Sequence, residues 1–331
     1  MCTQDARVKF LFRFALFLVT AGSIRPQEAA QRISNPSRLF SVPMADVLRS
    51  AEVCVSGGSS FGMESSSALI QNLSIGLGGI AEAEISTTGL TNEMTGESES
   101  FAMSSFKVNL IPERFQRYGF LPNIVAQLKS SSWKSIENES GAIRSIYTSA
   151  SSYAGENLVS LGVQERFSVL VLIIGKRWSF AGFQAGICAT DIRLKNGRRW
   201  YWVTDPMDPA AAYGGVHSAE IPEKQKNTLA PIGGIEIQAN DKTKIMAEIQ
   251  SVPIFDFDVR RQDVVISTAW LGVAGIRFFI ADWLTLDAGV KIQSNDRGIA
   301  DAEIRIGGNC VVPVNDWMKK IARSVRERQG Q

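Results

Sequence analysis

The sequence predicts an all-β fold, an antiparallel up-and-down transmembrane β-barrel of about twelve strands with a short C-terminal helix. Three observations carry this. Apolar and polar residues alternate strictly along many stretches, most plainly over Leu284–Gln293 and residues 300–307. The links between such stretches alternate between tight turns and longer connections. An apolar segment near the N-terminus has the layout of a secretory signal.

The alternation has period two. Side chains on a strand point to opposite faces in turn, so Leu284, Leu286, Ala288, Val290 and Ile292 share one surface while Asp287 and Lys291 take the other. One apolar and one ionic face suit a barrel with a lipid-facing exterior and a charged interior. A secreted soluble barrel that binds an apolar ligand, or a β-sandwich, would show the same alternation with its faces exchanged. The pattern alone leaves both open; the signal, the strand number and the loop lengths favour the membrane.

At the N-terminus, Arg7 and Lys9 precede an apolar stretch over residues 10–19, followed by the small residues Ala21, Gly22 and Ser23. This is the order of a cleaved signal, and residues 1–23 are assigned to it. Residues 24–50 are assigned to a polar periplasmic leader, 51–312 to the barrel and 313–331 to a basic amphipathic helical tail.

Twelve strands are predicted, at 51–60, 68–77, 80–89, 102–111, 122–131, 158–175, 178–192, 229–239, 243–252, 266–280, 283–293 and 299–310. Tight hairpins fall at Gly78-Gly79, Lys176-Arg177, Asn240-Asp241-Lys242 and Ala281-Asp282. Longer links span 90–100, 132–157, 193–228 and 253–265, with an intermediate one at 112–121. If both barrel ends lie on the periplasmic side, every short turn falls there and every long loop falls outside. In the tail, Trp317, Ile321 and Val325 recur every four residues among Lys319, Lys320, Arg323, Arg326 and Arg328, which suits either a basic helix lying on anionic headgroups or a solvated tail.

The polar positions of these strands are candidate lumen-lining residues: Glu82, Glu84, Lys107, Lys129, Glu236, Lys244, Glu248, Asp287, Lys291, Asp301, Glu303 and Arg305. Both signs are mixed, which fits either salt-bridged layers filling the barrel or the wall of a narrow aqueous passage. Aromatic residues near strand ends, Trp178, Phe180, Phe278, Phe279 and Trp283, are candidates for interfacial girdles, as is the run Trp200, Tyr201 and Trp202.

Other chemistry is weakly supplied. Net charge is +2 and no long basic run is present, so no nucleic-acid partner is expected. Cys2, Cys54, Cys188 and Cys310 show no ligand-like spacing, the chain has 1 histidine, and Asn295, Asp296 and Asp301 do not fit a calcium loop; no metal or cofactor is expected. Residues 58–62 match the G-x-S-x-G nucleophile elbow, with His217 as base and Asp191, Asp205 or Asp208 as acid. Long alternating stretches after His217, where a hydrolase fold needs helices, argue against it. The Gly/Ser stretch is assigned to the first outer loop, His217 to another loop, and no catalytic residue is predicted.

The run Ile276-Arg277-Phe278-Phe279-Ile280-Ala281-Asp282-Trp283-Leu284-Thr285-Leu286-Asp287-Ala288-Gly289-Val290 resembles the penultimate hairpin of bacterial outer-membrane β-barrel proteins of the YjbH-like type. Residues 299–306 are similar to their closing strand, residues 77–87 to their early hairpin and residues 233–237 to a middle strand. The resemblance implies a non-catalytic barrel in the bacterial outer membrane, contacting its lipid and acting as pore, envelope scaffold or export component. It also implies a link to envelope or exopolysaccharide export partners.

Overall fold

The computed structural model describes residues 36–61, 68–92, 97–111, 121–138, 156–178, 180–203, 216–258, 263–294, 302–315, 317, 318 and 324. The strands are β1 (Glu52–Phe61), β2 (Ala68–Leu77), β3 (Ala81–Asn92), β4 (Glu97–Asn109), β5 (Asn123–Ser131), β6 (Lys134–Asn138) and β7 (Glu156–Arg177). After them come β8 (Ala181–Val203), β9 (Val216–Ile221), β10 (Lys224–Asn240), β11 (Thr243–Asp258), β12 (Asp263–Ala281), β13 (Leu284–Gln293) and β14 (Glu303–Pro313).

Apart from β5 with β6 and β9 with β10, each strand pairs antiparallel with its sequence neighbours, and β1 pairs with β14 from Glu52↔Pro313 to Phe61↔Ile304, so the sheet closes on itself. Both β5 and β6 run along β7, and both β9 and β10 along β8. Each of these couples is one stave interrupted by two residues. In the second the break falls at Pro222-Glu223, where proline cannot donate to the ladder. The closed ring is therefore an up-and-down barrel of twelve staves.

The short turns at Gly78-Gly79 and Asp241-Lys242 lie where predicted, but Lys176 and Arg177 belong to β7, with the Trp178 N–H on the Ala181 carbonyl, and Ala281 pairs with Leu284, which moves that turn to Asp282-Trp283. Gly78 and Gly79 take φ of 70° and 71°, and the Ile80 N–H closes the turn on the Leu77 carbonyl at 3.3 Å. Positive φ at both central residues matches the right-handed twist of the flanking strands, and glycine reaches it without strain. The long links are corrected: strand pairing continues through much of 193–228 and 253–265, so β7 and β8 reach Glu156↔Val203, beyond the expected limits. The loop assignments of the Gly/Ser stretch and of His217 are also corrected. Ser60 lies buried in extended β1 opposite Arg305, and His217 is in β9 opposite Tyr201.

The faces sort as a lipid-exposed barrel requires. Outward positions are apolar and open, with Leu229 71%, Ile85 65% and Ile187 49% exposed, while Glu82 is 1% and Arg277 0% exposed on the inner side. A soluble barrel would show the reverse. The edge of the belt follows one rung across five adjacent staves. Phe106, Leu128, Leu170, Ala189 and Leu229 are cross-strand neighbours below it, and Ser104, Ser130, Ser168, Asp191 and Asn227 lie one outward step above. From Leu229 to Ile237 the belt spans roughly 20 Å of height for a strand tilted near 40°, close to the apolar band of about 25 Å on membrane barrels. Phe180, Phe278 and Trp283 are exposed at its short-turn edge, and Trp178 is half-buried there. Phe279 is corrected: it points inward at 5% exposure because the pleat cannot put adjacent residues on one face. The side chains of Trp200, Tyr201 and Trp202 and most of the expected C-terminal helix lie outside the described residues.

An arginine at Ile187, within the belt, is expected to cost about 2–4 kcal/mol of folding free energy in lipid vesicles, against about 0–1 kcal/mol for Asn227→Arg beyond its edge. Denaturant titration of the vesicle-inserted protein measures both; equal penalties would mean that this face does not meet lipid.

Candidate functional site

Residues 36–50, assigned above to a leader outside the barrel, lie within the ring of strands. They are less polar than a leader: Leu39, Phe40, Val42, Met44, Ala45 and Leu48 are all at most 4% exposed. The segment makes a small hairpin, with the Leu39 N–H on the Val42 carbonyl and the Met44 N–H on the Ser37 carbonyl, both at 2.9 Å, around the Arg38↔Pro43 bridge. It then runs past Arg49 into β1. Residues 1–35 lie outside the described residues.

The hairpin is seated by both charge and packing. The Glu248 carboxylate accepts backbone N–H groups from Phe40, Ser41 and Val42, each at 3.0 Å, and the Ser41 hydroxyl also donates to it. Three convergent backbone donors form a cradle for a negative charge. Opposite, Ser37 Oγ donates to Glu82 at 2.6 Å, the Leu48 N–H reaches the same carboxylate, and Lys107 Nζ donates to the Ser37 carbonyl at 3.0 Å. Arg38 pairs with Glu84 at 2.7 Å, and Lys129 approaches that carboxylate at 3.4 Å. The Ala45 N–H donates to Gln184, and Asp46 meets Arg177 and Asn123.

Arg277 ties wall to hairpin most completely. It gives Nε and Nη2 to the two oxygens of Asp287 at 2.7 and 2.8 Å, and Nη1 and Nη2 to the carbonyls of Arg38 and Leu39. Arg305 donates to the Phe40 carbonyl at 2.8 Å. A planar guanidinium can satisfy a carboxylate and two carbonyls at once, which an ammonium cannot. Between these polar contacts the apolar side chains form clusters with the inner wall. Val42 and Ala45 pack with Val125, Val171, Ile173, Cys188 and Ile232; Leu39, Phe40 and Met44 pack with Met246, Leu271 and Val273. Leu48 joins Cys54 and Val311. The lumen is thus mixed rather than wholly charged.

Two wall glycines make room. A Cβ at Gly76 would stand 1.9 Å from the Arg49 carbonyl oxygen, and one at Gly234 would meet Leu39 Cδ1 at 2.3 Å.

Of the predicted lining residues, Glu82, Glu84, Lys107, Glu236, Glu248, Asp287 and Glu303 are buried, and Lys129, Lys244, Lys291 and Arg305 are half-buried. They form local pairs: Glu236 with Lys244 and Arg177, and Lys291 with Glu303 at 2.8 Å. Asp301 lies outside the described residues. Sequence reasoning missed Arg277, Gln184 and the hairpin. The signal for Arg277 was not available, because counting back through an Ala281-Asp282 turn would set it opposite Leu286; a register shift between Phe279 and Ala281 brings it opposite Asp287. Cys54, Cys188 and Cys310 are free thiols, and no group of His, Cys, Asp and Glu among the described residues is arranged to hold a metal.

No family model and no curated protein matches the chain. Among solved structures it is similar to the translocator domain of the autotransporter NalP from Neisseria meningitidis, with TM-score 0.45 and 10% identity over 92% of this chain and 96% of that one. It is also similar to the CymD monoaromatic hydrocarbon channel, with TM-score 0.39 and 8% identity, and to the Ralstonia pickettii toluene transporter TbuX, with TM-score 0.39 and 9% identity. In both cases 80% of this chain and 88% of the other are covered. At such values the likeness is loose and carries nothing about what these barrels bind or pass.

Replacing Arg277 by Met should destabilise the barrel by about 3–5 kcal/mol, because Asp287 is left buried without its cation. The double variant Arg277→Met with Asp287→Leu should recover most of that loss in guanidinium unfolding. No recovery would place the cost in the lost carbonyl contacts instead.

Proposed function

We propose that this chain is a non-catalytic barrel of the bacterial outer membrane that works as a gated passage in envelope or exopolysaccharide export, closed at rest by residues 36–50. The observation that carries this is the hairpin seated in the lumen on Glu248, Glu82 and Arg277. Eight staves leave a space that side chains alone can fill, and a wider ring does not. The hairpin supplies the missing filling, yet it adds no strand to the ring. Its departure would break no rung of the ladder that holds the barrel closed.

Its anchors are of a kind that can be exchanged. Hydrogen bonds and ion pairs in a lumen can pass to water or to an entering polar solute, each with a modest net change in free energy. The apolar clusters hold more firmly, so opening requires a partner or a pulling force from the periplasmic end, where the hairpin leads into β1. The exterior supports the location: an open apolar belt edged by Phe180, Phe278 and Trp283 is costly in water and favourable in a bilayer. The YjbH-like resemblance adds the export context.

The wild-type protein in planar bilayers should be nearly silent. Deletion of residues 37–45 should produce stable conductance steps at least about tenfold larger than the wild-type leak, if passage is limited by the hairpin. Heat-modifiable migration on gels verifies that the variant still forms the barrel. Equal conductance of wild type and deletion would overturn the gate and leave a scaffold.

A further inference from the structure

Directly above the apolar belt, β7 and β8 carry a cationic patch on their outward face that the lumen does not use. Arg166 and Arg193 are cross-strand partners, and both point outward, one rung beyond Ser168 and Asp191. Gln164 and Lys195 form the next outward pair. Arg193 is exposed and pairs with Asp191 at 2.9 Å, while Asp191 also accepts from Gln225 on β10. Lys195 Nζ lies 4.0 Å from the centre of the exposed Trp133 ring.

Two arginines set directly opposite each other repel unless an anion lies between or above them. Asp191 engages Arg193, which leaves the patch with an excess of positive charge. Arg193 gives its Nε and Nη2 to Asp191, so what it offers a phosphate is its Nη1, beside the outward Arg166 across the rung. Beneath the patch the surface changes abruptly. Leu170 and Leu128, 53% and 56% exposed, with Ala189 and Leu229, form a continuous apolar face. Trp133 stands at the level where amphipathic rings favour the headgroup region.

We infer that Arg166, Arg193 and Lys195, above the Leu128, Leu170 and Leu229 surface, form a binding site for the phosphorylated headgroup of an outer-leaflet glycolipid, whose acyl chains lie on the apolar face. The inference rests on the membrane placement proposed above, with the short turns on the periplasmic side. It adds a specific lipid partner on the exterior wall, independent of the gate.

The experiment uses the full chain, folded in phosphatidylcholine vesicles, exposed to bisphosphorylated lipid A or to its phosphate-free counterpart, extracted in detergent and weighed by native mass spectrometry. The wild type should retain the bisphosphorylated lipid about tenfold more than the phosphate-free one. The R166Q/R193Q variant, with normal heat-modifiable migration, should lose that preference. Millimolar inorganic phosphate should not displace the lipid, since the acyl chains share the binding. Equal retention of both lipids by the wild type overturns the site without any variant being needed, as does an unchanged preference in a folded variant. Full displacement by inorganic phosphate would make it a free-anion site and overturn the lipid assignment. Failure of the wild type to enter vesicles would instead defeat the membrane reading itself.

Discussion

The constraint on which the rest of the structure depends is the circumference of the ring. Twelve staves closed by the β1–β14 pairing leave a lumen wider than their inward side chains can span. The chain meets this by folding residues 36–50 into the space. Many features of the inner wall follow from that choice. The wall supplies carboxylates where the hairpin exposes N–H groups, as at Glu248, and cations where it exposes carbonyls, as at Arg277 and Arg305. A short irregular segment has few backbone bonds of its own, so its buried polar groups have to be paired by the wall.

The same demand accounts for the mixture of signs. Taken alone, Glu82 and Lys107 are a buried ion pair at 3.5 Å, whose desolvation cost offsets most of its attraction. Ser37 changes that balance, since its hydroxyl donates to the acid and its carbonyl accepts from the base. The pair is thereby a clamp on the hairpin as well as a contact across β3 and β4. Glu84 serves similarly, shared between Lys129 of the wall and Arg38 of the hairpin.

Most of the barrel was legible in the sequence, because one backbone rule controls it. Period two fixes which residues share a face, and the Gly78-Gly79 turn fixes a register, so the set Glu82, Glu84, Lys107 and Glu236 could be assigned to a common side before any contact was known. The same rule also exposes the error at Phe278 and Phe279, which are neighbours and so cannot both face lipid. The hairpin was not legible. Fifteen irregular residues show no period, and their partners lie far along the chain: Phe40 and Glu248 are 208 residues apart. The reach of β8 and β10 beyond the bilayer was hidden for a related reason. Outside the belt both faces can be polar, so Asp191, Arg193 and Gln225 break the alternation without ending the strand.

That break in alternation is itself informative. Below Asp191 an outward side chain is selected by lipid, and above it by water and headgroups, while the inward face continues to carry Ile192 and Leu194, both buried. The ladder therefore passes through two solvents with one hydrogen-bond pattern, and only the outward residues record the crossing. Reading the crossing on β4, β5, β7, β8 and β10 places it on a single rung, although no residue on these strands was chosen to mark it. On a tilted sheet a rung runs oblique to the membrane plane, so the boundary steps off it on the next stave, where Ile85 of β3, 65% exposed, lies opposite Ser104.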